Sequence, residues 1–270
     1  MRKKAAARIL GLIALAALLL ALYLGHQLLQ KFLEYRKIQD DMNEIYRTME
    51  IVAKKDLEDD GETEKGQKAD GWDEALTDEQ KLEQYGTLAW ENPDMVGWIS
   101  INGTSVAYPV MYTPQNPQFY LRHNFKKEYS SGGMVFIDES CRMDGSDRNL
   151  LIYGHHMRNG TMFAQLTNYD SFEYWKSHQT VEFSTLKEVG TYQVVCAFKQ
   201  PASAIDEEFM RMLLARTEEE RTELLRTIKE LQFYETGVEV MENEKLITLA
   251  TCEYTYGDGR FFVIAKKVES

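Results

Sequence analysis

Eight short apolar runs, each bounded by turn-forming or charged residues, limit what this chain can fold into. They are Trp98–Ile101, Val106–Val110, Met134–Ile137, Leu150–Tyr153, Thr180–Phe183, Thr191–Phe198, Leu246–Leu249 and Phe261–Ala265. Short runs of this kind, rich in β-branched and aromatic residues, read as strands. Asn102-Gly103 between the first two is a hairpin signal. Many short strands with little helix between them close, or nearly close, into a β-barrel, so the fold class is mostly β. The exception is Glu207–Phe233, where Phe209, Met212, Leu213, Leu214, Leu224, Leu225, Ile228 and Leu231 recur on a helical period. This predicts one long helix just before the Leu246 strand.

A second constraint sits at the N-terminus. Arg2, Lys3, Lys4 and Arg8 precede an uncharged run from Ile9 to Leu24. A spanning helix needs about 20 apolar residues. The cationic flank stays in the cytoplasm, which puts the rest of the chain outside. A cleaved signal peptide is the rival reading, but no good small-x-small site follows the apolar run, and Ala21-Leu22-Tyr23 is a poor one. An uncleaved signal anchor is therefore expected. From Leu28 to Lys54, apolar residues recur at threes and fours, as in a juxtamembrane helix or stalk, or equally in a helix that packs on the domain. Lys55 to Asp73 is dense in Asp, Glu, Lys and Gly and reads as a linker. Thr77-Asp78-Glu79-Gln80 is a capping box opening a helix that Asn92-Pro93-Asp94 stops. The expected domains are a cytoplasmic tail and transmembrane anchor over 1–30, a juxtamembrane helix and linker over 31–75, and a folded exterior domain over 76–270.

The net charge of -12 argues against a nucleic-acid partner. Three cysteines, Cys141, Cys196 and Cys252, are too few and too widely spaced for a disulfide framework. Neither CxxC nor HExxH occurs, so a metal site has little support. Cys196 lies mid-strand and is expected in the core; Cys141 lies in a polar loop and is expected to be an exposed bystander.

Cys252 differs from both. It follows an apolar strand and has the polar neighbours Thr251, Glu253, Tyr254 and Thr255. Arg260 comes eight positions later, across a turn containing Gly257-Asp258-Gly259, at the start of the next strand. Strand, turn and strand bring the two side by side. Upstream, Leu150–Tyr153 runs through Gly154 into His155 and His156, which face opposite sides, so periodicity leaves open which one faces the thiol. A thiol, an imidazole and a guanidinium at neighbouring strand ends are the parts of an acyl-transfer site: nucleophile, proton carrier and oxyanion donor.

Together these residues resemble the sortase family, class B in particular, over roughly Leu82 to Val268. The carriers are Thr248-Leu249-Ala250-Thr251-Cys252, Tyr153-Gly154-His155 and Arg260. Asn92–Ile99, Tyr108-Pro109-Val110, Tyr120–Phe125 with Gly133–Asp138, and the helical stretch before the Cys strand add to the likeness. The resemblance implies a closed eight-stranded barrel with an N-terminal helix and an inserted long helix. It selects His155 over His156. It makes Cys252 the nucleophile, His155 the general acid and base, and Arg260 the stabiliser of oxyanion and substrate, with Glu253 a weak candidate for substrate contact. The implied enzyme is a Gram-positive, membrane-anchored cysteine transpeptidase needing no cofactor or metal. It would cleave an Asn-Pro-x-Thr-x sorting signal of secreted proteins after Thr. It would then join the protein to a peptidoglycan precursor amine through a thioacyl intermediate. The alternatives are another cell-wall thiol peptidase or transpeptidase, and an inactive membrane-anchored binding domain on the same barrel.

Overall fold

The computed structural model describes residues 2–59, 76–253 and 258–268, with side chains described over 10–51, 76–251 and 258–268. The described backbone forms two compact units, Met1–Asn43 and Glu44–Ser270.

The first helix, α1, runs without a break over Arg2–Asp59. Its large apolar side chains from Leu10 to Leu33 are exposed, as a buried core helix's would not be. The stretch Leu10–Ile51 is long and apolar enough to cross a membrane, with a mean hydropathy of 2.1 in its most apolar window. Of the expected linker, 60–73 lies outside the described residues.

The larger unit is built on a closed eight-stranded mixed barrel in the order β1-β2-β3-β4-β7-β8-β6-β5. The strands are β1 Met95–Ser100, β2 Ala107–Met111, β3 Val135–Ile137, β4 Asn149–Tyr153, β5 Thr180–Thr185, β6 Thr191–Pro201, β7 Leu246–Glu253 and β8 Gly259–Lys267. All eight apolar runs are strands. Neighbours pair antiparallel except β2–β3 and β4–β7, which are parallel. Trp98, Ile99, Val110, Leu151, Val194, Ile247, Leu249 and Val263 fill the core.

Helix α2, Asp78–Glu91, opens with the expected capping box: Thr77 Oγ1 accepts from Gln80 N–H and Gln80 Oε1 accepts from Thr77 N–H. Its Tyr85 stacks on Trp98 of β1 at 5.8 Å. A short helix, α3, follows over Phe172–Ser177.

The stretch before the Cys strand is not the single helix that periodicity predicts. It is α4, Glu207–Leu214, and α5, Glu218–Leu231. Ala215 takes a left-handed conformation at φ 49° and ends α4. Thr217 then starts α5 with a second capping box to Glu220. A Ser/Thr followed three residues later by Glu is a helix start signal, and it lies in the sequence at Thr217-Glu218-Glu219-Glu220. The unbroken apolar period hides it.

Candidate active site

Three strand ends meet at one rim of the barrel. In the antiparallel β7–β8 ladder Thr251 pairs with Phe261, Cys252 with Arg260 and Glu253 with Gly259. Strand β7 continues through Glu253, so Cys252 sits within the last rungs of a strand rather than after it. In the parallel β4–β7 ladder Tyr153 pairs with Ala250. Gly154 N–H then donates to Ala250 O at 3.1 Å, and His155 follows. The ladders thus bring Cys252, His155 and Arg260 to one edge by backbone register alone. The side chains of Cys252 and Glu253 lie outside those described.

A cleft of about 360 Å³ opens over this edge. Ala250 and Thr251 contribute to its lining beside His155 and Arg260; His156 does not line it. Leu121, Phe136, Ile205, Met210 and Phe262 add apolar surface, while Asp138, Glu139 and Tyr153 add polar groups. Ile205 and Met210 come from the β6–β7 insertion, which Phe209 and Phe233 hold against Phe262 and Phe261 of β8 at 5.7 and 5.5 Å.

His155 is held firmly. Its Nε2 lies 2.8 Å from Leu121 O. A carbonyl only accepts, so Nε2 carries the hydrogen and Nδ1 remains for acid–base work. The carbonyl-bearing segment is itself fixed: Tyr120 is fully buried, its hydroxyl donates to Asp94 at 2.9 Å, and its carbonyl accepts from Met134 N–H. Gly133, at φ +55°, allows this approach, because a Cβ there would sit 2.3 Å from Tyr120 O and 2.7 Å from Leu121 O. Burial pulls the His155 pKa below its ordinary value; the Leu121 bond opposes that and nearby Arg122 reinforces it. His155 O accepts from Phe163 N–H at 2.9 Å. The Phe163 ring also makes Gly154 obligatory, since a Cβ at 154 would lie 2.5 Å from the ring.

Arg260 is half-buried. Among the described residues its Nη1 donates to Gly259 O at 3.0 Å and to Asp258 at 3.3 Å. Tyr153 donates to the Asp138 carboxylate at 3.1 Å, and Asp138 also accepts from Ser140 N–H at 2.9 Å.

The other thiols stand apart. Cys196 is fully buried in β6, as expected. Cys141 is not the exposed bystander its polar surroundings predict: it is 1 % exposed, and its Sγ accepts from Leu151 N–H at 3.4 Å. The loop folds back on itself through Asp147, which accepts from Arg142 N–H and pairs with Arg216. Burial pushes the Cys141 thiol up to about 12 and raises Cys196 as well.

Sequence reasoning passed over Asn149, Thr248 and Thr251 as actors of their own. Thr251 Oγ1 donates to Gly154 O at 2.8 Å. Thr248 Oγ1 and Asn149 exchange hydrogen bonds at 3.1 and 2.7 Å. All three side chains are buried, and all bind β7 to the β4 segment. The available signal was the presence of hydroxyl residues in an otherwise apolar strand.

A closed mixed barrel with a cysteine, a histidine and an arginine at adjoining strand ends belongs with the thiol acyl-transfer enzymes in its layout. The sortase domain family matches residues 99–268. Sortase B of Listeria monocytogenes is 32 % identical over 179 residues, covering 66 % of this chain and 71 % of that protein. The solved structure of Clostridium perfringens sortase B matches with a TM-score of 0.62 at 27 % identity, covering 68 % of this chain and 99 % of that one. A Staphylococcus aureus sortase B–substrate complex matches with a TM-score of 0.62 at 28 % identity, covering 69 % and 85 %. The chain belongs to the sortase family, class B, and is a cysteine transpeptidase.

Proposed function

We propose that Cys252, His155 and Arg260 carry the transpeptidation, and that the substrate is a sorting signal of the Asn-Pro-x-Thr-x type on a secreted protein. The observation that carries this reading is the register: Cys252 opposite Arg260, one strand from His155, with His155 and Arg260 lining one cleft. The Cys252 thiolate attacks the Thr carbonyl carbon, and Arg260 hydrogen-bonds the oxyanion that forms. As the C–N bond breaks, protonated His155 gives its Nδ1 proton to the leaving amine, and a thioacyl enzyme remains. An amine of a peptidoglycan precursor then attacks the thioester. Neutral His155 takes its proton, and the thiolate leaves, restoring the starting pair.

Thiolate and imidazolium must coexist for this cycle. Burial works against the imidazolium of His155, while a thiolate beside it works for it. Only part of the enzyme is therefore in the productive form at neutral pH. Glu253, the last residue of β7, is a weaker candidate for substrate contact.

The same reading assigns α1 as a single-pass anchor over 1–30, with its basic end in the cytoplasm. Residues 31–75 are then stalk and linker, and 76–270 is the catalytic domain outside the cell. Such an anchor keeps the cleft near translocated substrates and lipid-linked acceptors.

The test uses the full chain in detergent with a quenched fluorescent Asn-Pro-x-Thr-x library, wild type beside Cys252→Ala. Cleavage after Thr and a thioacyl adduct on Cys252, both lost in the variant, are the expected results. Equal cleavage by Cys252→Ala would remove the cysteine from the mechanism. No adduct with any peptide, from a Cys252 that still alkylates, would point to a different signal or another thiol chemistry.

A further inference from the structure

The row His155, Cys252, Arg260 has a second row directly behind it. One residue back on each element stand Gly154, Thr251 and Phe261. Thr251 and Phe261 are cross-strand partners in the β7–β8 ladder. Thr251 and Gly154 are joined by the Thr251 hydroxyl, which donates to Gly154 O at 2.8 Å. This bond lies where the regular β4–β7 pairing ends, since Tyr153–Ala250 is its last rung. The hydroxyl thus extends the β4–β7 contact by one residue, to the brink of the row that carries the chemistry.

We infer that Thr251 is the positioning residue of the active site: its hydroxyl, through Gly154 O, fixes His155 against Cys252. This rests on the catalytic roles proposed above. Three observations support it. Thr251 is 2 % exposed, so its hydroxyl has no ready exchange with water and depends on this partner. Gly154 is also confined by the Phe163 ring, which leaves a Cβ only 2.5 Å, and Phe163 N–H holds His155 O at 2.9 Å. The Gly154–His155 corner is therefore held by both Phe163 and Thr251, and removing the Thr251 hydroxyl takes away one of these restraints. Finally, the other hydroxyl of the strand, Thr248, bonds to Asn149 at the far end of β4, remote from the row. The two threonines tie β7 to the β4 segment at different distances from the chemistry, so Thr248 serves as a control for Thr251.

Thr251 touches no reacting atom in this scheme; it acts through the spacing of the thiol and the imidazole. A misplacement of about 1 Å between reacting groups costs about 100-fold in rate. A thiolate is stabilised by an imidazolium only at short range.

The experiment uses the full-length chain in detergent and two readouts. One is the kcat and KM for an Asn-Pro-x-Thr-x peptide; the other is the pH profile of Cys252 alkylation by iodoacetamide, which needs no substrate. Cys141 and Cys196 are buried with raised pKa values and do not compete. Thr251→Val is expected to lower kcat by about 10- to 100-fold, leave KM within about threefold, and move the alkylation profile to higher pH. Thr251→Ser, which keeps the hydroxyl, should restore both. Thr248→Val should lower thermal stability without moving the profile. If Thr251→Val does not fold, Thr251→Ala beside Thr251→Ser makes the same comparison. Wild-type kcat and an unmoved profile in the variants lacking the hydroxyl would overturn the inference. His155→Ala separates the two levels of argument. If it leaves turnover and the profile unchanged, the catalytic assignment fails; if it shifts both while Thr251→Val shifts neither, only the positioning role fails.

Discussion

The two ends of the β7–β8 ladder carry similar chemistry and put it to different ends. At the Leu246 end, a groove of about 640 Å³ is lined by Lys245, Lys266 and Lys267. Each of these cations is answered from within the fold. Lys266 pairs with Glu244 and Lys267 with Glu188, both at 2.9 Å, and Lys245 donates to the carbonyls of Gly145 and Asp147. At the Cys252 end the hollow is smaller, about 360 Å³. There, among the described residues, Arg260 donates to Gly259 O at 3.0 Å and to Asp258 at 3.3 Å, and the Asp258 side chain is 80 % exposed. The larger hollow is thus the one whose charges satisfy one another. The smaller one brings a guanidinium and an imidazole to one cleft, with the imidazole Nδ1 opposite the atom bound to Leu121 O, and that, more than volume, sets the two ends apart.

Removing the proposed nucleophile tests this contrast most severely. Cys252→Ala should reduce peptide cleavage to background, a loss of at least about 10⁴-fold, measured by product formation over long incubation. Arg260→Lys comes next. It keeps the charge but replaces a planar fork of five donors with a compact ammonium. A fall in kcat of about 10²- to 10³-fold is expected; near-normal turnover would remove the oxyanion role. Gly154→Ala follows, because its Cβ must displace a fully buried Phe163 ring 2.5 Å away. Overpacking of this kind costs about 1–3 kcal/mol, to be read from the thermal unfolding midpoint, and kcat should fall with it because the shift occurs next to His155.

The sequence made some of this visible and hid the rest for identifiable reasons. All eight strands were legible because most side chains that enter the barrel core are apolar, and short apolar runs with β-branched and aromatic residues have few other uses. The α2 capping box was legible because its residues act on their own backbone neighbours. Thr217 used the same local device, yet the continuous apolar period on both sides concealed the break at Ala215. Cys141 was misjudged because burial of a polar loop depends on non-local partners, here Asp147 with Arg216, which composition does not reveal. Leu121 was unreadable as a partner of His155 since it acts through a carbonyl that every residue possesses, 34 positions away in the chain. Motif spacing placed Cys252, His155 and Arg260 at strand ends; it could not show that Thr251 joins two of those ends.

The pH dependence of stability probes the same corner without any substrate. Burial lowers the folded-state pKa of His155 from its ordinary 6.5. The neutral form therefore stabilises the fold fully above that value. As pH falls below about 6.5 the unfolded chain takes up the proton first, and the contribution is lost progressively down to the lowered pKa. Thermal midpoints measured from pH 7.5 to 5 should show an acid decline that is shallower in His155→Gln. An identical slope in both proteins would mean that burial does not hold the imidazole neutral.

The smallest effect is expected at the opposite end of the ladder, and its smallness is the point. Lys267 and Glu188 keep 28 % and 60 % of their side-chain surface exposed. Exposed pairs contribute about 0–1 kcal/mol, since water screens the attraction and two long side chains lose freedom in making it. Lys267→Gln should therefore shift the thermal midpoint by no more than about 2–4 °C and leave kcat, KM and the alkylation profile of Cys252 unchanged. A drop in turnover with stability intact would mean that the large groove communicates with the cleft along β8. The two ends of the ladder would then be one functional surface, and the division between satisfied and available charge would no longer separate structure from chemistry.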